Sequence, residues 1–450
     1  MEERNNFAKG KVSTHILSIA GPMIVAQLIN VLYNVIDRIY IGRIPHTSTL
    51  AMGGLGICLP IISIVIAFAN LFGMGGAPLC SIARGKGNNK EAEEIMGNAF
   101  CLLALFGIVL MIIGFLFKEK ILWLFGASTH TFKYANDYLT IYLLGTVFVL
   151  IGLGMNSFIN SQGFAKIGMM TVLIGAVLNI ILDPIFIFVL NMNVKGAALA
   201  TVLSQFVSAL WTIHFLRSDQ TILKLKKECL YLNSYYVKRI FSLGTAGFIM
   251  GITNSIVSIV CNSTLQLYGG DLYIAIMTII NSIREVVQLP AQGFGNASQP
   301  VLGYNYGAKE YKRVLSAIRF VTLLCFGTMF IIWVLITAFP QYFINIFTHD
   351  PHITKHAIIY IRLYFAGFFM QSLQICGQSV AVGLGKSKQA IFFSIFRKVI
   401  IVAPLTIILP RFIGIEGVFI SEAISNFIGG GACYITLWLT IGKSLKKEIS

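Results

Sequence analysis

The chain has 450 residues, of which 56% are hydrophobic and only 12% charged. A soluble domain averages about 25% charged residues and about 45–50% apolar ones with glycine counted, so a water-soluble globule, a disordered chain and a disulfide-rich secreted scaffold are all excluded. Lys and Arg number 34 against 18 Asp and Glu, a formal charge of +16.

Twelve apolar runs long enough to span a bilayer are predicted, near residues 15–41, 53–80, 95–117, 135–160, 167–190, 196–216, 240–268, 273–300, 314–338, 355–382, 389–409 and 416–440. The basic residues sort by the loops between them. The N-terminus, the C-terminus and the loops on their side carry 21, the opposite loops carry 7, and 6 lie inside spans. Such a bias is the positive-inside pattern, so both termini are expected in the cytoplasm, with the basic loops facing anionic headgroups. No cleavable leader is expected, because the first dozen residues are polar and the run after them is long enough to remain as a span. Nucleic acid is not an expected partner, since no basic patch is interleaved with stacking aromatics. The 8 cysteines form no C-x-x-C and 7 sit in apolar runs, where they read as small buried hydrophobes.

The chain resembles itself. Phe72-Gly73-Met-Gly-Gly-Ala-Pro78 returns as Phe294-Gly295-Asn-Ala-Ser-Gln-Pro300. Gly163, Lys166 and Pro184 return as Gly383, Lys386 and Pro404, and Val194-Lys195-Gly196 returns as Ile415-Glu416-Gly417. The expected organisation is a six-helix lobe over 1–216, a basic cytoplasmic linker over 217–239 and a second six-helix lobe over 240–450. Six spans is an even number, so the two repeats run parallel, related by an axis along the membrane normal, with a cavity between them. This architecture points to a secondary transporter working by alternating access, and no enzymatic activity is expected.

A charge at mid-bilayer costs at least about 2.5–3.5 kcal/mol on insertion scales, which makes an intramembrane acid a functional candidate. Four acids lie well inside spans: Asp37, Asp183, Glu285 and Glu422. Helical spacing brings Tyr33 and Asn34 to the face of Asp37, and Asn179 lies one turn before Asp183. Thr201 falls at a compatible depth in the next span. Both aspartates fall in the outer halves of spans in the same repeat. Two carboxylates with amide, hydroxyl and phenol oxygens suit a hard monovalent cation or a proton; the alternative is neutralisation by a basic partner such as Arg38. For Glu285 and Glu422 the partners at hand are Arg284, Arg319, Arg362, Arg397 and Lys398, and the choice lies between an ion-pair network and substrate contact. Pro22, Pro184, Pro290 and Pro404 interrupt spans, and each frees a backbone carbonyl and permits a bend.

The segment Pro290-Ala-Gln-Gly-Phe-Gly-Asn-Ala-Ser-Gln299-Pro300-Val-Leu-Gly303-Tyr304-Asn305-Tyr306-Gly307-Ala308 closely resembles the eighth-helix signature of the multidrug and toxic compound extrusion (MATE) family. Tyr33-Asn-Val-Ile-Asp37-Arg-Ile-Tyr-Ile-Gly42 is similar to that family's first helix, and Asn179-Ile-Ile-Leu-Asp183-Pro184 with Gly196-Ala-Ala-Leu-Ala-Thr201 to its fifth and sixth. The resemblance covers essentially the whole chain. It implies V-shaped lobes around a central cavity and export of amphipathic, often cationic organic compounds such as drugs and toxins, in exchange for Na⁺ or H⁺. It further implies a cation-coupling cluster of Tyr33, Asp37, Asn156, Asn179, Asp183 and Thr201, with Na⁺ held by Asp37, Asn179, Asp183 and Thr201. Pro22 would mark a helix bend linked to its occupancy. From the residues themselves, apart from the resemblance, Arg284, Glu285, Arg397 and Glu422 are expected to form a polar network in the second lobe. The seventh span carries no acid where another branch of the family has one. The expected protein is a multi-pass component of the cell membrane, functional as a monomer and needing no cofactor.

A second transport reading is a lipid-linked oligosaccharide flippase, which would use the second-half arginines to meet anionic headgroups. A membrane transferase would need a dense polar cluster at the bilayer surface. His349-Asp350-Pro351-His352 is the only one, and it lacks the helical spacing of a metal-binding pair.

Overall fold

The computed structural model describes residues 6–45, 48–347 and 351–449; these are mostly helical, joined by turns and irregular loops, with no strand among them. His349 and Asp350 lie outside the described residues, as do the side chains of Pro351 and His352.

The first six spans are α1 (Val12–Gly42), α2 (Ser48–Gly85), α3 (Asn89–Leu124), the pair α4a (Phe132–Leu144) and α4b (Thr146–Ser161), α5 (Ala165–Val189) and α6 (Val194–Arg217). The second six are α7 (Ser234–Gly269), α8 (Asp271–Gly307), α9 (Tyr311–Ala338), the pair α10a (Pro351–Phe365) and α10b (Phe368–Gly383), α11 (Ser387–Ile413) and α12 (Glu416–Ile449). Among the described residues, ten helices are long and apolar enough to cross a membrane, and the two bent pairs raise the spans to twelve. The protein is an all-α, twelve-span membrane protein.

Several helices outrun their apolar windows; α2, for instance, has 38 residues where about 20 cross the hydrocarbon. The fourth span of each set breaks at a glycine, with bends of 57° at Gly145 and 46° beside Gly367. Gly367 has φ +70°, a conformation that glycine adopts without strain. The fifth span of each set carries a π-helical segment beside its proline, Ile185–Val189 after Pro184 and Phe396–Val402 before Pro404. Pro22 and Pro290 sit within helices that continue through them, so neither ends its span.

The chain divides into two compact units, one built on Gly21–Gly244 and the other on Phe7–Ala20 with Thr245–Ser450. In the first unit α2 packs on α3, α4a and α4b, and α5 packs on α6. The start of α7 lies so close to α2 that a Cβ on Gly244 would meet the Leu71 carbonyl oxygen at 1.8 Å. The linker after α6 is strapped to the same unit. Gln162 Oε1 accepts from the Thr221 hydroxyl (2.8 Å) and from the main-chain N–H groups of Ile222 (3.1 Å) and Leu223 (2.7 Å). Glu93 accepts from the Lys224 N–H at 3.1 Å and pairs with Lys226 at 2.6 Å. That carboxylate holds the Lys226 ammonium above the ordinary lysine range.

In the second unit α8, α9, α10b and α12 enclose a core that includes Met329, Ile361, Phe365, Phe368 and Phe419. Asn305, inside the signature at the end of α8, donates to the Phe7 carbonyl at 3.2 Å and accepts from Arg313 Nε at 2.9 Å. Arg313 also donates to the carbonyls of Phe7 (2.7 Å) and Gly10 (2.9 Å). Part of that signature therefore anchors the segment before α1. Exposed side chains such as Leu32, Leu323, Ile331 and Leu439 clothe the outer helix faces in apolar surface, as lipid contact requires.

Candidate functional site

Asp37 on α1 and Asp183 on α5 are buried in the first unit and stand within hydrogen-bonding reach of each other. Tyr33, one turn before Asp37, is in electrostatic range of both. Asn179 is one turn before Asp183, and its Nδ2 donates to Asp183 Oδ1 and to Thr201 Oγ1 on α6, each at 3.4 Å. These contacts are longer than the usual 2.7–3.2 Å for N–H···O (an order-of-magnitude guide), so the polar groups are gathered without being tightly bonded.

Local backbone features bring them together. The π-helical turn beginning at Ile185 follows Asp183-Pro184, and Gly196 at the start of α6 packs against it, with a Cβ there only 2.7 Å from the Phe186 carbonyl carbon. Such single π turns frequently accompany functional sites. Asn156 on α4b donates to the Gly168 carbonyl on α5 at 3.2 Å, an approach that the missing side chain of Gly168 permits.

Tyr33, Asn156, Asn179 and Thr201 line one partly open pocket within this unit. Asn30, Thr171, Ser204, Gln205 and Ser208 also line it, and these the sequence reading did not select. Their signal was present as Thr201, Ser204, Gln205 and Ser208, a polar stripe at helical spacing on an apolar span.

The expected neighbour Asn34 is instead exposed and donates to the Asn30 carbonyl at 2.7 Å. Arg38, the alternative neutralising partner, is exposed; its charge acts on Asp37 from a distance, but among the described residues no ion pair includes Asp37 or Asp183. Among the described residues, Asp37 Oδ1, Asp183 Oδ2, Asn179 Oδ1, Asn156 Oδ1 and Ser204 Oγ are buried without a hydrogen-bond partner. Adjacent carboxylates repel unless a proton or cation lies between them, and this set of free oxygens fits such an occupant.

The second unit gathers a different set. Arg397 contacts Glu422 and donates to Gln374 Oε1 at 2.8 Å and Asn426 Oδ1 at 2.6 Å. Arg284 donates to the Tyr364 hydroxyl at 2.8 Å and lies 3.9 Å from Glu422. Lys398 donates to the Met250 carbonyl at 3.0 Å. Glu285 is exposed and stands apart from this network, because its neighbour Arg284 takes the inward position on α8. Arg319 lies over the Trp438 ring, and Arg362 donates to the Thr337 carbonyl at 3.2 Å. All eight cysteines are free thiols.

Comparison with known proteins places the chain. The MatE family model matches it twice, over residues 22–185 and 247–408, once in each set of six spans. Multidrug export protein MepA of Staphylococcus aureus (strain NCTC 8325 / PS 47) is 23% identical over 444 residues, covering 97% of this chain and 96% of its own. MepA of Staphylococcus haemolyticus (strain JCSC1435) is 24% identical, covering 98% of each chain. A solved MATE in complex with MaL6 shares the fold, with a TM-score of 0.92 at 22% identity over 98% of this chain and 99% of that one. A family model matched once in each half, on a fold of twelve spans with polar clusters buried among them, leaves one assignment: the chain belongs to the MATE family of efflux transporters.

Proposed function

We propose that the protein is a secondary antiporter in which influx of H⁺ or Na⁺, bound between Asp37 and Asp183, drives export of an amphipathic organic compound. The observation that carries this reading is the pair of buried carboxyl groups that, among the described residues, form no ion pair, beside a pocket lined by Tyr33, Asn156, Asn179 and Thr201. A cation neutralises the pair, lets the two helices approach, and so favours one conformation over another; a ligand shifts an equilibrium only by such differential binding. Asn179 and Thr201 supply the amide and hydroxyl oxygens that complete a Na⁺ shell, or fix the carboxyl orientation when the occupant is a proton.

The loop charge bias supports cytoplasmic termini and export from that side. The internal repeat supports lobes over 1–216 and 240–450 joined by the 217–239 linker. Pro22 is the position on α1 where a bend costs least, since proline leaves the carbonyl one turn earlier without its helical donor. The export of multidrug substrates by the MepA relatives supports drug-like cations as cargo. Nothing in the mechanism calls for a cofactor or a second copy of the chain.

The test is efflux of a fluorescent organic cation from proteoliposomes, with Na⁺ and pH gradients imposed separately. Stimulation by one gradient identifies the coupling ion, whereas indifference to both removes the antiport reading.

A further inference from the structure

We propose that the Arg397 network of the second unit holds an anion, supplied as chloride or as the carboxylate of an amphipathic solute. The two units differ in what they leave unbonded. In the first, every buried side-chain polar atom lacking a partner is an oxygen, among the described residues. In the second, four of the five are N–H donors, Arg397 Nε and Asn426 Nδ2 in the network, Gln378 Nε2 one turn from Gln374, and Trp333 Nε1, with Gln389 Oε1 the one oxygen. Arg397, Asn426 and Gln378 are 3%, 0% and 5% exposed, so water at the surface does not serve them.

The chemistry of these donors selects their ligand. Asn426 gives its oxygen to Arg397, which fixes its amide nitrogen as the free end. Gln374 likewise accepts from Arg397, and Gln378 lies one turn further along the same face of α10b. Arg284 and Arg397 contribute two positive charges against the single negative charge of Glu422. Glu422 is already engaged by both arginines. A buried donor without an acceptor is costly, and more so when it is charged. An anion accepting from Arg397 Nε and the two amides removes that cost and balances the surplus charge. A metal cation is excluded by the same charges and donors.

The experiment measures binding of ³⁶Cl⁻ to the purified full-length protein in nanodiscs, with gluconate replacing chloride at constant Na⁺. Saturable binding is expected, weakened about tenfold or more in Asn426→Asp and in Gln378→Met, the change expected for one lost hydrogen bond to a charged group. Gln378 donates no hydrogen bond, so its replacement by the similarly shaped methionine leaves the network intact. Displacement of ³⁶Cl⁻ by 1-naphthoate at constant ionic strength assigns the site to a solute carboxylate, and retention assigns it to chloride. The absence of both ³⁶Cl⁻ and naphthoate binding in the unmodified protein overturns the proposal, as does undiminished binding in both variants. No gradient is imposed, so the outcome is independent of cation coupling.

Discussion

Asp37 and Asp183 meet carboxyl to carboxyl inside the first unit, and among the described residues neither forms an ion pair with a basic side chain. A structural role for buried acids is ordinarily served by a basic partner. On the proposed reading an exchangeable ion takes that place. Asp183→Asn and Asp37→Asn are each expected to reduce export to background while the protein still reaches the membrane. Drug efflux from cells at matched expression is the measurement, and normal efflux in either variant removes that residue from coupling.

Thr201 adds a neutral oxygen to the same cluster. Thr201→Val keeps the shape and removes the hydroxyl, so it is expected to weaken cation dependence by about three- to tenfold without abolishing transport, the scale of one hydrogen-bonding group. The half-saturating cation concentration of efflux reads this directly. An unchanged value means that Thr201 is not a ligand.

The contact of α7 with α2 tolerates no side chain at Gly244, where a Cβ would fall 1.8 Å from the Leu71 carbonyl oxygen. Gly244→Val is expected to cost more than the roughly 1–3 kcal/mol of ordinary overpacking, because the clash is with main chain. Gly251 lies on the same helix with nothing within 4 Å of its Cβ, and Gly251→Val is expected to be nearly silent. Monodispersity and thermal midpoint in detergent separate the two; equal behaviour would show that the helices do not approach as described.

The linker is expected to loosen more when Gln162 is lost than when Glu93 is neutralised. Gln162→Leu strands two main-chain donors, the N–H groups of Ile222 and Leu223, at about 1–3 kcal/mol each, while the Thr221 hydroxyl keeps the Leu223 carbonyl at 3.1 Å; Glu93→Gln can still accept from the Lys224 N–H and loses only the exposed pairing to Lys226. The lysine pKa is raised in the fold, so its contribution is complete at neutral pH and lost as pH rises through the folded value. Hydrogen exchange over residues 221–230 should rise strongly in Gln162→Leu and only slightly in Glu93→Gln. The reverse order would mean that the ion pair, not the amide, holds the strap.

In the second unit, Glu422→Leu leaves Arg397 and Arg284 without their counter-charge and is expected to cost about 3–5 kcal/mol. Adding Arg397→Met to Glu422→Leu should recover much of that loss, because the stranded charge is removed with its partner. A thermal-unfolding double-mutant cycle measures the coupling. Strictly additive losses would show that the two side chains do not interact.

Composition determined the environment, and the order of residues the number of spans and the internal repeat, because a bilayer demands long apolar runs and the repeat survives as matched residues. The identities of Asp37, Asn179, Asp183 and Thr201 as intramembrane polar residues were legible for the same reason, as each breaks an apolar pattern. Which of them meet was not. Periodicity gives the azimuth of a side chain on its own helix but no interhelical contact, so Asn34 was drawn toward Asp37 when it faces outward. Glu285 and Arg284 are adjacent and equally polar, and only packing against Tyr364 and Glu422 decided that the arginine turns inward. The strap of Gln162 on the linker and the grip of Asn305 and Arg313 on Phe7 join residues far apart in sequence. Such contacts exist only once the helices are assembled, because their energy comes from burying and bonding groups that no local pattern brings together.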